Sequence, residues 1–131
     1  MPVEIKVLAW AAVLLLVHIF TAIHFKTKQY GAEWNMGARD EALPPLNPIA
    51  GRLERARDNF LETLPIALIA LLGVVVADKA SATTALGAWI WLGARTLYLF
   101  VYWAGIPKLR TLIYLASLVG LGMALWPLLA G

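Results

Sequence analysis

Two stretches of this 131-residue chain carry no Lys, Arg, Asp or Glu: Val7 to Phe25 and Thr111 to Gly131. Each is close to the ~20 apolar residues that an α-helix needs to cross the hydrocarbon core of a bilayer. Inside that core every backbone N–H and C=O must find a partner within the protein, so a chain built on such stretches crosses as helices. Hydrophobic residues make up 61% of the sequence and charged ones only 15%. A soluble domain of this size needs about a quarter charged residues to cover its surface. These features exclude a soluble globular fold and predict an all-α, integral membrane four-helix bundle forming one domain over residues 1–131.

The first span is predicted over about 7–25 and the last over about 112–129. The two middle spans follow from length. The uncharged run Thr63 to Ala77 is too short to cross at ~1.5 Å per residue, so the second span is placed at about 59–77 and takes Glu62 into the membrane. The third, at about 85–104, must contain Arg95 near mid-depth. Gly31, Gly37, Pro44, Pro45, Asn47, Pro48 and Gly51 fall in the connection 26–58, which therefore reads as an irregular loop.

The bases set the expected orientation. Lys26, Lys28, Arg39, Arg52, Arg55 and Arg57 lie between the first two spans, and Lys108 and Arg110 between the last two, with only Lys6 and Lys79 on the opposite side. The positive-inside tendency then puts both basic connections in the cytoplasm and both termini on the non-cytoplasmic side. The net charge of +3 has the same explanation, and no nucleic-acid partner is expected. Multi-pass insertion is expected, in the inner membrane for a bacterial chain. Trp10, Trp89, Trp91, Trp103 and Trp126 fall near span ends, where interface anchoring is the ordinary role. The chain has no cysteine, which removes disulfides, thiolate metal sites and a cysteine nucleophile. His18 and His24 lack the i, i+4 spacing of a helical metal pair, so packing roles and no metal are expected.

Helical spacing gathers the polar residues of the spans. Arg55, Asn59 and Glu62 share one face, as do Arg95, Tyr98 and Tyr102, and Arg110 and Tyr114 stand at i, i+4. All fall in the cytoplasmic half, with Glu62 about 5 Å inside the boundary at ~1.5 Å per residue. An ionisable group at depth costs on the order of 3 kcal/mol and normally faces protein or a hydrated interior. A structural pair between Arg95 and Glu62 is one reading. The other starts from the excess of guanidinium over carboxylate, which suits an anionic ligand that also carries an amine, such as a zwitterionic peptide with several carboxylates.

The run from Arg52 to Pro65 (RLERARDNFLETLP) resembles the R-x-x-R-A-x-x-N-x-x-E-x-x-P stretch of the MAPEG family, the membrane-associated proteins of eicosanoid and glutathione metabolism. Arg95-Thr-Leu-Tyr98-x-x-x-Tyr102, followed by Arg110 and Tyr114, is similar to that family's third and fourth helices, and the likeness covers nearly the whole chain. It implies a homotrimer that binds glutathione as co-substrate between subunits on the cytoplasmic side, embedded in membrane lipid. It further implies that Arg55, Asn59, Glu62, Arg95, Tyr98 and Tyr102 hold glutathione, with Arg57 at a neighbouring contact position and Lys26 or Lys28 nearest to an arginine that some members carry at the end of helix one. Arg110 matches the arginine that stabilises the thiolate in conjugating members, which attack lipophilic electrophiles from the bilayer or reduce lipid hydroperoxides. Gly51 replaces a Glu common before the first motif arginine, and Thr63 replaces a Tyr found in a conjugating member. The activity expected is that of a glutathione transferase or peroxidase. A non-catalytic lipid- or thiol-binding accessory protein is the alternative, followed by a small four-span transporter that uses Glu62.

Overall fold

The computed structural model describes residues 1–131, and its regular structure is entirely helical. In chain order the helices are α1 (Val3–Tyr30), α2 (Ala32–Met36), α3 (Pro48–Val76), α4 (Ala82–Ala104) and α5 (Pro107–Ala130). Four of them, α1, α3, α4 and α5, are long and apolar enough to span a membrane. Their outer faces present Leu16, Phe20, Ile69, Leu97, Leu112 and Val119, an apolar surface that fits lipid rather than water.

The connection between the first two long helices is more ordered than its glycines and prolines suggest. α1 continues to Tyr30, α2 adds one short turn-rich helix, and α3 starts at Pro48. The early start has a local cause. Asn47 is the N-cap, its Oδ1 accepting from the Ala50 N–H at 2.9 Å, and Pro48 occupies the first helical position, where its missing donor costs nothing. Pro65 consequently lies well inside α3 and not in its first turns. Residues between α2 and α3 are tied back to α1. Gln29 donates to the Pro45 carbonyl at 3.0 Å and accepts from the Asn47 N–H at 2.7 Å, and the Tyr30 hydroxyl donates to the Pro44 carbonyl.

The other helix ends are equally explicit. Ser81 and Thr84 form a reciprocal capping box at the start of α4. Gly105 stops α4 in the left-handed conformation at φ 76°, with its N–H on the carbonyls of Val101 and Tyr102, and Pro107 opens α5. Thr84 also donates to the buried carboxylate of Glu4 at 2.7 Å, joining the start of α1 to the start of α4. Both chain termini therefore share one end of the bundle, and the α1–α3 and α4–α5 connections share the other.

Small residues decide where helices meet. A Cβ on Gly87 would stand 2.6 Å from the Gly120 carbonyl oxygen, and one on Gly120 would stand 2.6 Å from the Gly87 oxygen and 2.7 Å from the Trp91 nitrogen. α4 and α5 thus cross in direct backbone contact, the form of packing that lipid-embedded helices favour. Gly73 of α3 faces Leu128 of α5, whereas Gly93 and Gly122 face open space. Replacing Gly120 by Ala is expected to force the α4–α5 crossing apart, costing about 1–3 kcal/mol, while Gly122→Ala is neutral. Thermal unfolding in detergent checks the contrast; equal midpoints for the two variants would contradict this packing.

Candidate functional site

The polar residues sort into a buried centre, an open cleft and an ion-paired edge. The centre is built on Phe60 of α3. His18 of α1 stacks on it with centroids 5.0 Å apart, and Trp91 of α4 stacks at 6.0 Å. All three are fully buried. Trp91 is thus a core residue and not part of the aromatic belt, because it stands four residues before Arg95 on the inward face of α4. His24, by contrast, is exposed and meets Phe25 edge-on.

Arg95 is 0% exposed. Its guanidinium carbon lies 4.3 Å from the centroid of Tyr98, 5.4 Å from Phe60 and 5.6 Å from Tyr114. None of its side-chain nitrogens has a hydrogen-bond partner, and no ion pair joins it to Glu62. The charge is stabilised by ring quadrupoles, which count for more when water is excluded. Glu62 points to the outer surface of α3, where it is exposed. Asn59, between the two faces, is half-buried with an unpartnered Oδ1.

Tyr98 passes the arrangement outward. It is packed edge-on against Tyr102 at 5.5 Å and lies 6.0 Å from Tyr114. Tyr102 is the wall of a cleft of about 180 Å³ lined by Arg52, Arg55, Tyr102, Gly105, Ile106, Pro107 and Arg110. The Nε of Arg55 donates to the Tyr102 hydroxyl at 3.2 Å. The Arg110 guanidinium sits 4.6 Å over the Tyr102 ring. Three arginines and no carboxylate line this space, so its field favours anions. It lies at the end of the bundle away from the termini.

Lys26 and Arg57 are elsewhere. Lys26 of α1 is 2.8 Å from Glu54 and lies 5.7 Å from the Trp34 ring centroid. Arg57 is 3.0 Å from Asp58 and 3.7 Å from Glu54. These four groups neutralise one another at the partly exposed α1–α3 edge, where such pairs add little stability. Of the residues singled out from the sequence, the fold gathers Arg55, Tyr102 and Arg110 at the cleft, sets Tyr98 and Arg95 directly behind it, and leaves Lys26, Arg57, Asn59 and Glu62 outside its lining. It adds Arg52. That residue belongs to the same motif, one helical turn before Arg55, and the i, i+3 spacing on one face is the signal that marks it.

The cage around Arg95 has a direct stability consequence. Removing the Tyr98 ring should cost about 3–5 kcal/mol, since it opens a cavity and strips a buried guanidinium of its nearest ring. Arg95→Met, which removes the charge and keeps an apolar side chain of similar length, should hold or raise stability. Denaturant or thermal unfolding of the two variants checks the signs.

No curated protein and no solved structure matches the chain. The model of the MAPEG family matches residues 7–130, nearly the entire bundle. The chain therefore belongs to the MAPEG family, as a multi-pass integral membrane protein with a role in glutathione-related or eicosanoid metabolism.

Proposed function

We propose that the protein is an integral-membrane glutathione transferase that sets the glutathione thiolate beside Arg110 and delivers it to lipophilic electrophiles or lipid hydroperoxides reached from the bilayer. The observation that carries this reading is the cleft in which Arg52, Arg55 and Arg110 surround Tyr102 with no carboxylate in the lining. A guanidinium beside the sulfur favours the thiolate over the thiol. A free thiol ionises near ~8.5, and each unit by which that value falls corresponds to ~1.4 kcal/mol. Because the Tyr102 oxygen already accepts from Arg55, its own proton is available to the ligand.

The bond changes follow from the nucleophile. In conjugation the sulfur lone pair forms a C–S bond while the leaving group, a halide from an aryl halide, departs with its electrons. With a hydroperoxide the sulfur takes the terminal oxygen as the O–O bond breaks. The alkoxide leaves as alcohol after taking a proton, and a second glutathione converts the sulfenic acid to disulfide and water.

A homotrimer with glutathione between neighbouring subunits is part of the same proposal. It is supported by Arg55 and Glu62, which stand on an exposed face of α3. There a neighbour completes the site and Glu62 receives the amine of glutathione. Tyr98 and Arg95 act from behind Tyr102, setting its position and adding positive potential.

Purified protein in detergent or nanodiscs is expected to conjugate glutathione to a generic aryl halide. Arg110→Ala should lower kcat/KM by tenfold or more, and its rate should keep climbing with pH toward the free-thiol value of ~8.5, while the wild-type rate levels off earlier. Glutathione binding without turnover would reassign the protein as a non-catalytic thiol-binding accessory. Turnover unchanged in Arg110→Ala would remove Arg110 from the mechanism.

A further inference from the structure

Arg52 lines the same cleft as Arg55 and Arg110, yet its guanidinium is held in a different way. Its Nε donates to the Trp103 carbonyl at 3.2 Å, in the last turn of α4. That helix end carries partial negative charge, which favours a cation there. The flat of the fork lies against Gly105: a Cβ at that glycine would stand 3.1 Å from Nη1 and 3.2 Å from Cζ. Gly105 is therefore small for two reasons, its left-handed φ of 76° and the guanidinium across it. With one of five N–H groups engaged, the others remain available in a fixed orientation. No acid pairs with Arg52, unlike Lys26 and Arg57.

Charge counting turns this into an assignment. Glutathione with an ionised thiol presents three anionic groups, the sulfur and two carboxylates. The cleft presents three guanidiniums. Arg110 is assigned to the sulfur and Arg55 to one carboxylate, which leaves Arg52 for the other. Its place on α3 selects which one. Arg52 and Glu62 are ten residues apart, about 15 Å along the helix at ~1.5 Å each. The α-carboxylate shares a carbon with the amine assigned to Glu62, so it falls to Arg55, the nearer of the two along α3 at seven residues against ten, and the carboxylate at the other end of the peptide falls to Arg52. The far end of the peptide is the glycine.

We propose that Arg52, held by the Trp103 carbonyl and Gly105, receives the glycine carboxylate of glutathione and makes the site selective for the fully charged tripeptide. The assignment rests on the glutathione reading above. Held in advance, the fork loses little freedom on binding, which makes the contact effective.

Calorimetric titration of the protein in lipid nanodiscs tests it, using glutathione and its glycine-amide analogue against wild type, Arg52→Gln and Arg52→Lys. Gln keeps an N–H for the Trp103 carbonyl but has no charge, so the turn is preserved while the ion contact is lost. Wild type should prefer glutathione over the amide by tenfold or more. Arg52→Gln should bind glutathione about tenfold more weakly, bind the amide as wild type does, and so lose the preference; Arg52→Lys should recover part of it. Equal weakening of both ligands would reduce Arg52 to a brace for the α4–α5 turn, and an undiminished preference would overturn the assignment while leaving the glutathione reading intact. Absence of glutathione binding in wild type would overturn that reading and this assignment together.

Discussion

The guanidinium of Arg95 is fully buried with no carboxylate paired to it, and the interior of the bundle is arranged around that fact. A bare cation in hydrocarbon is costly, and here the compensation is aromatic. Tyr98, Phe60 and Tyr114 come from three different helices, α4, α3 and α5, so one charge fixes the mutual rotation of three spans. The stacked His18 brings α1 into the same assembly through Phe60. Dispersion and ring electrostatics suit a membrane protein because apolar burial gives little drive for helices to associate in lipid. The α4–α5 crossing at Gly87 and Gly120 supplies the close approach that brings Tyr114 to Tyr98.

From that centre the chemistry grades outward. Tyr98 supports Tyr102, and Tyr102 is the surface on which Arg55 and Arg110 converge. The arginines of the cleft carry no internal acid, whereas the two cations at the Lys26 and Arg57 edge are satisfied by Glu54 and Asp58. The same residue type therefore has two roles separated by a fraction of a helical turn. Neutralised cations brace α1 against α3, and uncompensated ones leave an anion-seeking cleft between α3, α4 and α5.

Much of this is legible in the sequence. Uncharged runs of bilayer length established the helical class, and the shortness of the middle apolar segments forced Glu62 and Arg95 into the spans. Face arithmetic grouped Arg95 with Tyr98 and Tyr102 correctly, since periodicity is a property of one helix. It could not say which faces meet, and there the readings diverged. Arg95 and Glu62 look like partners in sequence, but α3 turns Glu62 outward while α4 turns Arg95 inward. Lys26 reads as a free cation in sequence, and in the fold Glu54 neutralises it. Trp91 looked like an interface anchor because depth is legible in sequence and facing is not. The start of α3 was written plainly in Asn47-Pro48, but those residues read equally well as loop breakers. Arg52 was in view throughout, and only the folded turn at Gly105 shows what holds it.

The central claim, that the Arg52, Arg55 and Arg110 cleft against Tyr102 receives glutathione, is tested most directly by an experimental structure of the protein in lipid with glutathione bound. The expected result places the sulfur within hydrogen-bonding reach of the Arg110 guanidinium and a carboxylate on Arg55 or Arg52. Glutathione seated instead at the Lys26 and Arg57 edge, or bound in the cleft with its sulfur turned away from Arg110, would contradict it.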